Sequence, residues 1–463
     1  MRAVEMMDQR ATTKDAPYKE VPYSQPDGRL KKRDDGCYII ESNYELGDYE
    51  SNIVNYLNQW AEKTPDRIWM AERDPANPDA DWRTITYGEG KKRVDSISQA
   101  LIDRGLDETT PVMILSQNSI NHALLVFGCM QIGVPASPIA TAYSQLPPAF
   151  NKLHHTVELL EPKVIFAEDG KSHEKGLKSL DLGGIELVCC TNPPEGLKAT
   201  PWDDLISRAP SNQVGDAYGK TGPDSVGKYL FTSGSTGMPK AVPQTQRMMC
   251  ADQKALKVVI PEQPDKPSVY LDWLPWNHCY GGNSNFHGVL REGGTFYIDD
   301  GRPLPGQFEK TVRNLREISP TRYLGVAVAH ALIVEQLEKD VSLRKTFFKE
   351  LDYLAYGGAS LPQEIWQRYQ DLAVKEKGHK ILFYTGWGST ETAPVASTLH
   401  WPYDGTGNIG HPLPGVTLKL VPVGTKMEVR LKGDIIFPGY YRQPDKTEAA
   451  FDEEGFYRIG DAL

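Results

Sequence analysis

Apolar positions along this chain switch between two spacings. From about residue 50, stretches with apolar residues three or four apart, the helical spacing, alternate with short continuous apolar runs of strand length. Residues 52–63 read as a helix and 111–115 as a strand. Asn118 is the expected N-cap of the apolar helix that follows, which Gly133 and Pro135 end. Strands are expected at 164–167 and 186–190, with a helix at 150–160. Such alternation argues for an α/β fold: a mostly parallel sheet with helices on its faces. Residues 201–223 are polar and read as an internal boundary. The pattern then restarts, with strands at 228–232, 268–273, 295–298, 322–326, 353–356 and 381–384. Helices near 244–257, 285–290, 307–318, 329–349 and 363–375 fall between them. After residue 400 the helical spacing stops, and 416–421, 426–431 and 434–438 look like strands of a small β-rich unit.

The expected division is an N-terminal extension (1–45, polar and irregular, lying on the body), a first α/β subdomain (46–222), a second (223–400) and a β-rich, barrel-like subdomain (401–463). The longest apolar run, 123–130, is far shorter than the roughly 18 residues of a membrane span. The first twenty residues are charged and lack an apolar core, so no signal peptide is expected. A 40% hydrophobic content supports a sizeable core, and the net charge of −10 argues against nucleic acid or an anionic membrane as the main partner. It leaves room for a local site for a phosphorylated ligand. Six cysteines without a CxxC pair read as reduced thiols of a cytoplasmic protein.

Residues 229–240 (YLFTSGSTGMPK) carry the most chemistry. A strand enters a loop in which Gly234 and Gly237 let successive N–H groups turn toward an anion. Thr232, Ser233, Ser235 and Thr236 add hydroxyl donors and Lys240 a point charge, with a helix expected next. The composition is that of a phosphate cradle, without the spacing of a Walker loop. A flexible Ser/Gly loop and the Ser-rich loop of an amidase-type hydrolase are the other readings. Residues 384–394 (YTGWGSTETAP) follow a second strand end, where open α/β sheets bind ligands. Thr390 offers a hydroxyl to phosphate, Glu391 a hard oxygen to Mg²⁺, and Trp387 a flat face to a purine.

Together these stretches resemble the adenylate-forming superfamily of acyl-CoA synthetases, peptide-synthetase adenylation domains and luciferases. Residues 439–447 (GYYRQPDKT) and 455–461 (GFYRIGD) extend the resemblance, with Ile459 where the family has threonine. The resemblance implies the following roles. Lys240 and its loop hold the outer phosphates of ATP, Thr390 contacts the α-phosphate, and Glu391 holds Mg²⁺. Asp461 binds the ribose of AMP. Gly357, Gly358 and Ala359, with Gly386, Trp387, Gly388 and Ser389, line the adenine and acyl pockets. His278, in LPWNH, lies beside the acid carboxylate where coenzyme A enters. No zinc-like spacing occurs among the histidines, so no structural metal is expected.

Within the superfamily, residues 32–36, 71–74, 272–278, 297–303 and 408–415 are similar to the feruloyl-CoA synthetase group, implying a hydroxycinnamate-like aryl acid. Trp276, His278, Tyr280, Ser284, Gly358 and Gly386 are the expected substrate contacts. Residues 280–285, including Asn283 and Asn285, would make the acyl wall polar, which suits an oxygen-bearing ring better than an alkyl chain; those side chains facing solvent or capping a helix is the other reading. The implied reaction forms acyl-AMP and then a thioester with coenzyme A. Medium-chain or benzoate acids are alternative substrates. An amidase-type serine hydrolase and a non-catalytic nucleotide-binding protein are alternative functions; no GxSxG elbow supports the first. In the family a hinge and a small lysine-bearing C-terminal domain follow the Gly-Asp pair. The sequence ends at Leu463, so slow adenylate formation and almost no thioester formation are expected of residues 1–463 alone.

Overall fold

The alternating pattern resolves into four sheets in the computed structural model, which describes residues 13–74, 77, 80–232, 237–263 and 265–462. The largest runs in the order Lys240–Thr245, Val226–Thr232, Ala136–Pro138, Val112–Leu115, Val164–Asp169, Glu186–Thr191, Thr200–Pro201, parallel throughout except for the first pair. A second sheet sets Val269–Asp272, Thr295–Ile298 and Ile68–Glu72 in parallel, with Arg83–Thr86 antiparallel at the edge. A third runs Arg322–Gly325, Tyr353–Tyr356, Leu382–Trp387 in parallel and closes with two short antiparallel strands. The fourth is antiparallel: Gly28–Lys32, Tyr38–Ser42, Thr417–Val423, Lys426–Lys432, Tyr457–Ala462.

These sheets cut across the expected division. Strand Val226–Thr232 joins the first sheet, so no boundary falls at residue 222. Strand Ile68–Glu72 pairs with Thr295–Ile298, so the two halves share a sheet. The polar stretch 201–223 is no linker: it folds as helices Asp203–Ile206 and Asn212–Tyr218, which bury Leu205 and Val214. The N-terminal segment is an integral part of the β-rich unit, because Ile40 pairs with both Leu30 and Leu418. Upstream of those strands it straps the third sheet: Lys19 Nζ donates to Asp352, and the Tyr353 hydroxyl donates to the Pro22 carbonyl.

Local expectations shift for identifiable reasons. The N-cap of helix Ile120–Gln131 is Ser119, whose hydroxyl accepts from the His122 N–H at 3.0 Å, and not Asn118. That helix is buried all round, as its unbroken apolar run requires. The segment after Gly237 continues as strand Lys240–Thr245, antiparallel to Val226–Thr232, before helix Gln246–Val259 begins. Residues 434–438 form turns and irregular backbone, and the last strand of the unit is Tyr457–Ala462. No helix among the described residues is long and apolar enough to cross a membrane. All six cysteines are free.

The β-rich unit is pinned by a buried carboxylate. The Asp452 side chain is fully buried and takes Lys419 and Arg430, each at 3.0 Å. Burial alone would raise its pKa, but the Phe456 N–H, Arg430 and Lys419 more than offset this and hold it well below the carboxylate range. Its contribution is therefore present above the unfolded carboxylate pKa, about 3.9, and is lost as pH falls through the folded value. Asp452→Ala should cost about 3–5 kcal/mol in urea unfolding near pH 7. A loss under about 1 kcal/mol would mark the cluster as behaving like a surface ion pair.

Candidate active site

The parallel strands of the third sheet end in register, with Gly325 opposite Tyr356 and Tyr356 opposite Thr385. Their carboxyl-end loops meet the 273–285 loop of the second sheet and the Thr232–Lys240 hairpin of the first. One cavity of about 560 Å³ lies between them; Thr232, Lys240, His278, Gly357, Thr390 and Glu391 all line it. Three elements far apart in sequence are thus gathered at strand ends, where an α/β architecture leaves room for a ligand.

At one end the hairpin base pairs Thr232 with Lys240. Ser233, Gly234, Ser235 and Thr236 lie outside the described residues, and Gly237 is exposed. The Thr232 hydroxyl is buried without a partner among the described residues. Lys240 Nζ stands 3.7 Å from the centroid of the Tyr440 ring. The Tyr440 hydroxyl in turn donates to Glu391 Oε1 at 2.9 Å. Burial pushes the Lys240 pKa down, Glu391 opposes that, and Lys446 adds to it. Thr390 Oγ1 lies 3.5 Å from the Cys279 sulfur, and the Thr390 carbonyl accepts from Gln244 at 2.9 Å. Tyr440 was not singled out by the sequence reading. Two tyrosines follow Gly439, and only the folded chain shows which ring carries the lysine.

The wall bearing His278 differs from expectation. His278 is open to the cavity, and its Nδ1 accepts from the Tyr280 N–H at 3.2 Å. The enclosing cleft holds its pKa below the usual value. Trp276 is not a substrate contact: it is buried, stacked 4.4 Å from Phe286 and edge-on to His122. The Asn118 amide turns it inward by donating to Leu274 O and accepting from Trp276 N, both at 2.9 Å. Residues Tyr280–Asn285 form a π-turn, a wider coil often found at functional sites. Tyr280 and Ser284 face the cavity, but Asn283 and Asn285 point inward and donate to Gln244 and Asp272. The turn packs so closely on the 274–276 loop that a Cβ on Gly281 would lie 2.4 Å from Leu274 O.

The expected adenine-side residues divide. Gly357, Gly358, Gly386, Gly388 and Ser389 line the cavity, and Gly358 takes a left-handed φ of +75°. A Cβ on Gly357 would come within 3.2 Å of the Tyr280 ring. Ala359 is exposed and lies outside the lining. Trp387 and Asp461 also lie outside the lining, joined to each other: the Trp387 indole N–H donates to Asp461 at 2.9 Å. Ile459 faces the cavity. At the far end the lining includes Tyr384, which opens the 384–394 stretch, and Tyr270, Arg291 and Arg322, which no motif marks. No group of three or more His, Cys, Asp or Glu side chains suited to a metal occurs among the described residues.

Beneath the π-turn lies Lys228, whose Nζ donates to Gly282 O at 3.1 Å and sits 3.2 Å from His287 Nε2. Burial pushes its pKa down to about 7. Between pH 7 and 10 the unfolded chain retains a proton that folded Lys228 has lost. Stability of the native protein should therefore rise over this range relative to Lys228→Met, by up to about 1.4 kcal/mol per pH unit. Denaturant titrations of both proteins at several pH values check this, and parallel curves would contradict it.

A family model for AMP-binding enzymes matches residues 57–441. 4-Coumarate–CoA ligase-like 9 of Arabidopsis thaliana is 26% identical over 390 residues, covering 81% of this chain and 64% of that protein. Phenylacetyl-CoA ligase epaB of Aspergillus niger is 25% identical over 400 residues, covering 82% of this chain and 70% of that protein. The chain thus spans about two thirds of the length of these relatives. Among solved structures, o-succinylbenzoate-CoA synthetase of Bacillus subtilis, in complex with its acyl-adenylate intermediate, superposes with a TM-score of 0.67 at 18% identity, over 90% of this chain and 76% of that one. That likeness establishes the shared fold. With the family match spanning most of its length, the chain belongs to the AMP-binding enzymes.

Proposed function

We propose that this protein activates an aryl carboxylic acid with ATP and passes the acyl group to coenzyme A. The observation that carries the reading is one continuous cavity, lined by Lys240, Thr390 and Glu391 and also by Tyr270, Arg322 and Tyr384. Family membership and the names of the relatives, which include 4-coumarate and phenylacetyl ligases, support it. In the first step a carboxylate oxygen bonds to the α-phosphorus of ATP as the bond to pyrophosphate breaks, giving acyl-AMP. In the second the coenzyme A sulfur bonds to the acyl carbon, AMP departs and the thiol proton is released. Neither step needs a protein nucleophile, so the chain's task is positioning and charge stabilisation.

The residues fit that task. Lys240, clamped on the Tyr440 ring, offers its ammonium to departing phosphate oxygens. Thr390 offers a hydroxyl to the α-phosphate. Glu391 presents a single buried carboxylate held by Tyr440. One carboxylate does not cage a cation, but it fits Mg²⁺ whose other ligands are phosphate and water. Bound there, Mg²⁺ would neutralise charge on the phosphates. His278, with its lowered pKa, is neutral near pH 7 and adds no charge beside the acid. Asp461, oriented by the Trp387 N–H, is the acceptor for ribose hydroxyls.

Lys240→Ala should reduce acid-dependent ATP–pyrophosphate exchange by about 10²–10³-fold, with little change in thermal unfolding. Glu391→Gln should raise the Mg²⁺ concentration needed for half-maximal exchange. Unchanged exchange in Lys240→Ala would remove the lysine from the reaction.

A further inference from the structure

The far end of the cavity is closed by charged side chains that have been taken out of water. Arg291 and Arg322 both contact Glu292 Oε1, at 2.5 and 3.1 Å, and all three side chains are at most 7% exposed. Arg291 also reaches Glu262 at 3.1 Å and the Gln253 carbonyl at 2.8 Å. The Arg322 guanidinium lies 4.7 Å over the Tyr353 ring, which the N-terminal strap holds through Pro22. Arg322 lines the main cavity on one side and a separate cavity of about 120 Å³ on the other, so this group is a partition. Two hydroxyls face the same space: Tyr384, which interacts with Arg322, and Tyr270, which no described residue hydrogen-bonds.

The position of the partition sets a length. Arg322 opens its strand, and Gly325, three residues on, stands at the reactive edge opposite Tyr356. At about 3.3 Å per residue the floor lies roughly 10 Å below that edge. A benzoate leaves that distance unfilled, whereas a ring on a three-carbon acid spans it.

Resting on the proposed ligase function, we infer that Arg322, Tyr270 and Tyr384 form a specificity floor that selects acids carrying a neutral hydrogen-bonding oxygen, such as a phenol hydroxyl, at the end opposite the carboxylate. An apolar terminus would leave buried donors unpaired, the circumstance in which a polar site rejects an analogue most strongly. A second carboxylate is disfavoured for a different reason. Both guanidiniums are already committed to Glu292 and Glu262, the latter shared with Lys257, so an added anion must give up its water without a guanidinium free to pair with it.

The test compares 4-hydroxycinnamate, 4-methylcinnamate and 4-carboxycinnamate, by calorimetric binding and by ATP–pyrophosphate exchange, in the native protein. The hydroxyl compound should bind at least about tenfold more tightly than either of the others. Because Arg322→Met strands Glu292 and endangers folding, the decisive variant is Tyr270→Phe combined with Tyr384→Phe, which removes only two oxygens. There the preference over the methyl compound should fall below about threefold. Equal binding of hydroxyl and methyl compounds by the native protein, or an undiminished preference in the double variant, overturns the inference while leaving aryl-acid activation intact. If only aliphatic acids support exchange, the aryl reading fails. The floor is then judged alone by ω-hydroxy against methyl-terminated acids of equal length, and equal use overturns it. A protein that exchanges with no acid overturns both.

Discussion

The loop that carries Thr390 and Glu391 is the knot of this molecule. Gln244 of the first sheet donates to its Thr390 carbonyl, the Phe437 N–H of the tail donates to the Glu391 carbonyl, and its Val395 N–H donates to buried Asp252. Tyr440 closes the circle onto the Glu391 side chain. A buried loop must satisfy its polar backbone within the protein. Here it does so by drawing partners from the first sheet, from the helix that continues it and from the tail. The carboxylate and hydroxyl offered to the cavity are consequently fixed by the same bonds that hold the sheets together.

A second theme is desolvated charge kept in balance. Asp452 answers two cations at the base of the β-rich unit, and Glu292 and Glu262 answer Arg291 and Arg322 at the cavity floor. Such groups add less to stability than well-packed hydrocarbon would, because desolvation offsets their attraction. Their value lies in geometry, since a guanidinium committed to a carboxylate has few orientations left. Lys228 shows the other outcome: with no carboxylate partner among the described residues, it yields its proton near neutrality and braces the π-turn through the Gly282 carbonyl.

Much of the fold could be read along the chain. The strand at 353–356 and the helix at 150–160 fall where the apolar spacing placed them, and most other elements shift by a few residues. The misreadings have a common cause in pairing between distant segments. Ile68–Glu72 and Tyr38–Ser42 each pair on one side with a strand hundreds of residues away, and nothing local to either announces that partner. Trp276, Asn283 and Asn285 misled similarly. Their residue types suit a ligand wall, but the Asn118 amide and the π-turn rotate them into the interior.

The sequence by itself determined which groups are candidates for binding phosphate. Thr232, Lys240, Thr390 and Glu391 sit in short motifs rich in glycines and hydroxyls, and all four line the cavity. The tertiary structure alone decided the other end. Arg291 leaves a helix, Arg322 begins one strand and Tyr270 lies in another, and each is ordinary in its local context. A motif records neighbours along the chain, and these residues become neighbours only when two sheets pack together.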